Sequence, residues 1–432
     1  MNSTLAHMRT FNRPIRLLLI NQLGINIGFY MLMPYLAGHL SGKLAMAAWA
    51  VGLVLGVRNL SQQGMFLLGG SLADRLGCKP LILAGLALRV AGFGLLGFVT
   101  SLPALIVASL LTGLAGALFN PAVRAYLAVE AGDRKTEAFA LFNVFYQAGI
   151  LIGPMIGLAL IGTSFRWVCI TAAVLFGLLL ILQARALPTR RTAPDAPAQS
   201  ILADWRHVIG NRPFLLFSLA MIGSYVLNFQ IYLALPIRAR EITGGEAGVT
   251  AMFVVSGLLT VTGQVPLTRW IMSRCSPQTA IVRGLWLMAA AFLPLALTSG
   301  VGQAEPGIIG QAVALVSLLA STVLLTLATM IVYPFEMTTI ITLAGQRLIG
   351  TSYGLYNTIA GIGITVGNLL TGVALDASHS PGLAAVTWIA LILTGTACAS
   401  AVALLAHRGH LTPRASEPTA TPNPAPISKH RS

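Results

Sequence analysis

Asn143-Val144-Phe145-Tyr146-Gln147-Ala148-Gly149-Ile150-Leu151-Ile152-Gly153 returns later in the chain as Asn357-Thr358-Ile359-Ala360-Gly361-Ile362-Gly363-Ile364-Thr365-Val366-Gly367. Both stretches carry the pattern N-x5-G-x3-G: an amide, then two glycines about one helical turn apart, in mostly apolar surroundings. Upstream of each stands a second match, Ala131-Gly132-Asp133-Arg134 against Ala344-Gly345-Gln346-Arg347. Before those comes a third, Asn12-Arg13-Pro14 against Asn211-Arg212-Pro213. One such match is chance, but three in the same order at nearly constant offset are an internal duplication.

What is duplicated follows from composition. Of the 432 residues, 56% are hydrophobic and 9% charged, against about 25% charged in a soluble domain. A water-facing surface cannot be made from this. Hydrocarbon offers backbone groups no partners, so only helices or closed barrels span it. The apolar runs here are long and unbroken, whereas a barrel needs alternating strands of about ten residues. A helix needs about 20 apolar residues to cross, so the chain has room for roughly a dozen spans. The formal charge of +15 would point to nucleic acid in a soluble protein. Here the bases stand in short clusters between apolar runs, where topology accounts for them, and no nucleic-acid partner is expected. Cys78, Cys169, Cys275 and Cys398 lie far apart; without a close pair they make no metal or redox site and read as packing residues. Arg9, Arg13 and Arg16 precede an apolar run reaching about Leu40, too long for a signal-peptide core, so a retained first helix is expected.

Apolar runs bounded by charged or Pro/Gly-rich breaks place helices near 15–38, 46–71, 80–99, 103–127, 139–162 and 166–187, and again near 213–236, 247–270, 278–298, 307–336, 351–375 and 383–405. The expected organisation is a six-helix half over 1–187, a cytoplasmic linker over 188–212, a second six-helix half over 213–405, and a disordered tail over 406–432 rich in Pro, Ser, Thr and Ala. The Lys/Arg bias orients it. One side carries Arg9, Arg13, Arg16, Arg75, Lys79, Arg134, Lys135, Arg185, Arg190, Arg191, Arg206, Arg212, Arg269, Arg274, Arg347, Arg408, Arg414, Lys429 and Arg431; the other carries only Lys43, Arg166, Arg238 and Arg240. Both termini and the linker therefore fall in the cytoplasm, which requires an even number of spans. Parallel repeats of this kind build two-half secondary transporters, with the solute site between the halves.

Gly70-Ser71-Leu72-Ala73-Asp74-Arg75-Leu76-Gly77-Cys78-Lys79-Pro80 closely resembles the loop signature of the major facilitator superfamily, G-x3-D-R-x-G-x-K, between helices two and three. Glycines permit close packing and a sharp turn, and an acid among bases at a helix end can form a breakable charge network. The resemblance implies that Gly70, Asp74, Arg75, Gly77 and Lys79 form a gating loop that latches the halves without touching solute. Gly149-x3-Gly153-Pro154-x2-Gly157 looks like the family's antiporter signature, implying a bend in the fifth helix and proton-driven export. Leu55-Gly56-Val57-Arg58, Gln62-Gln63-Gly64 and Leu88-Arg89-Val90-Ala91-Gly92-Phe93 are similar to the MdtH-type branch of bacterial drug:proton antiporters. The pattern departs in two places. Ser109 stands where drug antiporters carry a fourth-helix arginine four residues before Gly113, and the first helix holds Asn21, Gln22 and Asn26 in place of an acid.

Ionisable groups inside spans are costly and point to function. They are Arg58, Arg89, Arg124, Arg283 and Glu336, which is the one carboxylate inside a span, near the cytoplasmic end of the tenth helix just after Pro334. Burial favours a protonated carboxyl and a neighbouring arginine an ionised one, so alternating surroundings can load and release a proton. Arg124 follows Pro121 as Glu336 follows Pro334, and the two are expected to face each other across a central cavity. A fixed structural pair, or a pair reaching interfacial water, is the equally open alternative. Asn26, Tyr30, Arg58, Gln147, Tyr225, Asn228, Gln230, Tyr356 and Asn357 are the cavity candidates; each is also readable as a helix-packing group.

The leading expectation is a secondary transporter that exports small amphipathic compounds against a proton gradient, as a monomer in a bacterial inner membrane, without metal or cofactor. A dedicated exporter of a metabolite or metallophore, or an importer, keeps the fold and changes the cargo or direction. A membrane receptor or enzyme is remote, since no nucleophile, metal cluster or phosphate loop is present.

Overall fold

A computed structural model of the protein describes residues 2–46, 48–161, 164–189, 201–245, 247–299, 308–345, 348–378, 380 and 383–411. Among these the fold is helical without strands. A short α1 (Asn2–Arg9) precedes a first set: α2 (Arg13–Gly38), α3 (Ala48–Gly64), α4 (Phe66–Leu76), α5 (Cys78–Leu96), α6 (Leu102–Ala131), α7 (Lys135–Ile161) and α8 (Phe165–Ala186). Then α9 (Ile201–Gly210) leads into a second set: α10 (Arg212–Ala220), α11 (Ile222–Phe229), α12 (Ala234–Thr243), α13 (Ala247–Met272), α14 (Pro277–Ala290), α15 (Leu293–Thr298), α16 (Ile308–Ala344), α17 (Ile349–Ala377) and α18 (Val386–His407).

By length and composition, 10 described segments can cross a membrane. One of them, Leu102–Leu160, joins α6 and α7 across the short turn Gly132–Arg134. The segment of α3 and α4 is not among the 10; it breaks at Met65 and carries Arg58, Asn59, Ser61, Gln62 and Gln63.

The matched motifs do matched work. Asn12 caps α2, its Oδ1 accepting from the Ile15 amide at 3.2 Å, and Asn211 caps α10 by accepting from the Phe214 amide at 3.3 Å. Each is followed by proline in the first helical turn, where the missing N–H costs nothing. The glycines of α7 seat it on α2: a methyl at Gly149 would lie 2.5 Å from Asn26 Cβ, and one at Gly153 would lie 2.9 Å from Tyr30 Cβ. In the second set, Gly363 and Gly367 seat α17 on Ile222 and Val226 of α11. Small residues bring these backbones together where water supplies no driving force.

Several boundaries differ from those the sequence suggested. The run read as 46–71 is two helices, and Gly70 to Leu76 is helical where a loop was expected; the turn is Gly77 alone, whose φ of 88° suits a residue without Cβ. The seventh run, read as 213–236, is broken at Met221 and again by a 3-10 turn at Gln230–Tyr232, and continues to Thr243. The tenth, read as ending at 336, runs on to Ala344, since no breaker stands between Pro334 and Gly345, whose φ of 72° suits a residue without Cβ. The span read as a linker over 188–212 contains α9. Pro154 lies inside a continuous α7. Residues 190–200, Gln346, Arg347 and the tail beyond 411 lie outside the described residues.

Candidate functional site

A cavity of about 360 Å³ lies between the two sets, within the range of about 300–1,000 Å³ usual for small-molecule sites. Its polar lining includes Tyr30 of α2, Gln62 and Gln63 of α3, Asn120 and Arg124 of α6, Asn143, Tyr146 and Gln147 of α7, and Ser224, Tyr225 and Asn228 of α11. Tyr232 of the 3-10 turn, Ser256 and Thr260 of α13, Thr326, Thr329, Tyr333 and Glu336 of α16, and Asn357 of α17 complete it, with Phe66, Ile150, Leu151, Phe229, Phe253, Met288 and Met330 as apolar wall. Polar groups from both sets thus converge on one apolar-walled space.

Glu336 is 4% exposed and, among the described residues, is the one carboxylate in the lining. The Tyr356 hydroxyl donates to its Oε1 at 2.5 Å, and the Tyr225 hydroxyl faces it as well. Across the cavity the Arg124 guanidinium faces the Tyr333 hydroxyl. Among the described residues no ion pair joins Arg124 to Glu336. The two line the same space, and among the described residues they form no fixed ion pair. The Tyr30 hydroxyl meets those of Tyr146 and Tyr232, one from each side of the seam between the sets.

Of the cavity candidates, Tyr30, Gln147, Tyr225, Asn228 and Asn357 line the space. Four do not. Asn26 is buried in packing, donating to the Tyr146 carbonyl at 2.8 Å and accepting from Gln22. Gln230 donates to the Val226 carbonyl. Arg58 turns away over the Phe29 ring, and Tyr356 stands behind Glu336 as its hydrogen-bond donor. Gly149, Gly153 and Gly157 are helix-packing positions against α2, and the Pro154 carbonyl accepts from Tyr35 at 2.8 Å. Sequence reasoning passed over Gln62, Gln63, Asn120, Asn143, Tyr146, Tyr232 and Tyr333. For Asn143 a signal existed in its place at the head of the repeat; its amide donates to Gln264 on α13 at 2.8 Å, across the seam.

The expected gate lies at one end of the same seam. Asp74, near the end of α4, accepts from the amides of Gly350 and Thr351 and from the Thr351 hydroxyl, at 2.8, 2.7 and 2.7 Å. Gly70 meets the Gly350 carbonyl so closely that any side chain would collide with it. Arg75 pairs with Asp204 of α9 at 2.6 Å, and Trp205 donates to Ser71 at 2.7 Å. Lys79 opens α5, half-buried. At the same seam Thr136 and Thr338 are 3.1 Å apart. His7 of α1 also bridges the sets: it stands 3.1 Å from Glu137 of α7 and against the Arg269 guanidinium of α13. Burial, and after it Arg269, hold the His7 imidazole below its ordinary range, outweighing the opposite pull of Glu137.

The model of the Major Facilitator Superfamily matches residues 18–368. An uncharacterised MFS-type transporter of Mycobacterium tuberculosis (strain H37Rv) is 52% identical over 392 residues, 90% of this chain and 92% of the relative. Multidrug resistance protein MdtH of Photorhabdus laumondii is 30% identical and that of Shigella dysenteriae 29%, each over 379 residues, 88% of this chain and 90% of the relative. Helical sets that meet around a polar cavity, a carboxylate closing their seam and this match over most of the sequence agree. The chain belongs to the major facilitator superfamily, and is a multi-pass membrane transporter of small molecules, not an enzyme.

Proposed function

We propose that the protein is a proton-coupled exporter of small amphipathic compounds, working as a monomer by alternating access in a bacterial inner membrane. In this reading twelve segments cross. The 10 apolar segments become twelve once α6 and α7 are counted separately and α3 with α4 is added, and the Asp74 end is cytoplasmic by the positive-inside bias. The proton gradient is the energy source, and no cofactor is used.

The observation that carries this reading is Glu336: among the described residues it is the single carboxylate of a cavity shared by both sets, buried, held by tyrosine hydroxyls, and without a fixed arginine partner. A carboxyl in such a place changes its proton affinity whenever its surroundings change, which is what coupling to a conformational cycle requires. Apolar walls with scattered amides and phenols suit amphipathic solutes of varied shape. The relatives named for multidrug resistance favour export of such compounds. A seam closed at the Asp74 end is one of the two states that alternating access needs.

Purified protein in proteoliposomes, screened with fluorescent amphipathic compounds under an imposed pH gradient, tests it. Transport should follow the gradient in wild type and collapse in Glu336→Gln at equal insertion. Undiminished gradient-driven transport by Glu336→Gln would overturn the assignment.

A further inference from the structure

Arg89 lies about midway along α5 and is 5% exposed. Its guanidinium carbon stands 5.7 Å from the ring centres of both Phe119 on α6 and Phe176 on α8, and its Nε has no hydrogen-bond partner. Arg58, half-buried on α3, stands 4.5 Å over the Phe29 ring of α2. It donates to Asn59 at 2.8 Å and to Gln62 at 2.9 Å, and its Nε is likewise unpartnered. Phe93 connects the two, with its ring 6.2 Å from that of Phe29 and 4.9 Å from that of Phe176. Two guanidiniums therefore flank one phenylalanine cluster, near enough to repel each other.

Aromatic faces attract cations, but they recover less than the cost of placing a charged side chain at bilayer depth, and a second like charge adds to that cost. Among the described residues no ion pair involves either arginine. Glu336, the carboxylate of the cavity, is engaged by Tyr356. Among the described residues no carboxylate offsets the positive charge of this cluster.

We propose that Arg58 and Arg89 form a site for a small monovalent anion inside the first helical set, beside the central cavity. Gln62 joins the two places, since it lines the cavity and also accepts from Arg58. Guanidinium N–H groups form a planar fork that matches a carboxylate, and the same donors can also surround a halide by charge. The same chemistry thus fits chloride from solution or the acid group of a solute. The site does not depend on the proton-coupling role of Glu336, and its occupancy is readable without transport.

Thermal unfolding of the detergent-purified full chain tests it, with the sodium salt of a bulky sulfonate without a carboxylate, morpholinoethanesulfonate, as reference and sodium chloride or sodium acetate exchanged at constant ionic strength. A ligand at ten times its dissociation constant should raise the midpoint by about 1–3 °C, a shift that grows with the logarithm of its concentration. A response to chloride alone assigns the site to the free ion, and a response to acetate assigns it to a carboxylate. Arg89→Gln and Arg58→Gln should each abolish the response, and Arg89→Lys should keep part of it. Each variant is compared with itself across salts, so altered stability does not confound the reading. Equal midpoints in all three salts for wild type, or a response undiminished in both glutamine variants, would overturn the site.

Discussion

Asp74 and Thr351 are joined twice, through the Thr351 amide and through its hydroxyl, each 2.7 Å from the same carboxylate oxygen. Asp74 thereby caps a helix of the opposite set. The free amides at the start of α17 and the positive end of its dipole are satisfied by a carboxylate from α4. In the proposed alternating-access cycle this contact would be broken when the seam opens, so it would stabilise the closed state without touching solute.

Asp74→Ala should weaken that state. Losing a cap costs about 1–2 kcal/mol, which shifts a two-state balance about 5- to 30-fold. Distances between spin labels on α4 and α17 should lengthen in the variant. A distribution matching wild type would show that the cap does not hold the seam.

Tyr356→Phe removes one hydroxyl, 2.5 Å from Glu336, and leaves the ring packed near Phe217 and Tyr225. If Glu336 carries the proton, the pH profile of transport should move while expression and solute binding stay near wild type. A profile that scales in height without moving would place Tyr356 in packing alone.

Arg75 and Asp204 should couple in a double-mutant cycle by about 0.5–1 kcal/mol, at the upper end for an ion pair whose arginine side chain is 31% exposed. The exchange Arg75→Asp with Asp204→Arg should recover part of the transport lost by either change. Additive losses would leave α9 as a tether with no part in closing the seam.

The position of His7 predicts a pH dependence. Its neutral ring satisfies both neighbours, with Nδ1 accepting from Arg269 and Nε2–H donating to Glu137; protonation forfeits the first bond and sets two cations together. Because the docked imidazole titrates below its ordinary value of 6.5, the undocked segment binds more protons in the window just under that value. Docking of α1 is therefore strongest above it and weakens as pH falls through it. Protection factors at Met8 to Phe11, measured against the intrinsic exchange rate at each pH, should fall on acidification from pH 7.5 to 5.5, and His7→Gln should flatten the response.

Gly157→Ala places a methyl against the Met31 carbonyl of α2, with the Tyr35 ring 2.7 Å away. Forced separation of close-packed helices costs about 1–3 kcal/mol. Gly56→Ala, with open space around it, is the control and should be neutral or mildly stabilising. Comparable melting of the two variants would deny the glycine stripe its packing role.

Much of the architecture was legible in the chain because membrane helices are specified locally. Run length, the Asn-Arg-Pro starts and the paired N-x5-G-x3-G stripes depend on nearest neighbours along one helix. Glu336 and Arg124 were legible for a related reason: a charge within an apolar run needs a function or a partner. Asn26, Gln230 and Tyr356 were misplaced as cavity residues because periodicity gives depth along a helix but not its rotation about its axis. A rotation of one residue, about 100°, exchanges a cavity wall for a helix contact.

The sequence by itself determined that the protein is helical, duplicated and membrane-spanning, since hydrocarbon leaves the backbone no other solution and a repeat is visible as a repeat. Only the tertiary structure decided what each polar group answers to. Asp74 meets Thr351 from a distant part of the chain, Arg75 finds Asp204 on a helix read as linker, Glu336 is held by Tyr356, and Arg58 and Arg89 share a phenylalanine cluster without a carboxylate. Each of these depends on how helices from separate parts of the chain rotate and approach one another. That is a property of packing, which no local pattern encodes.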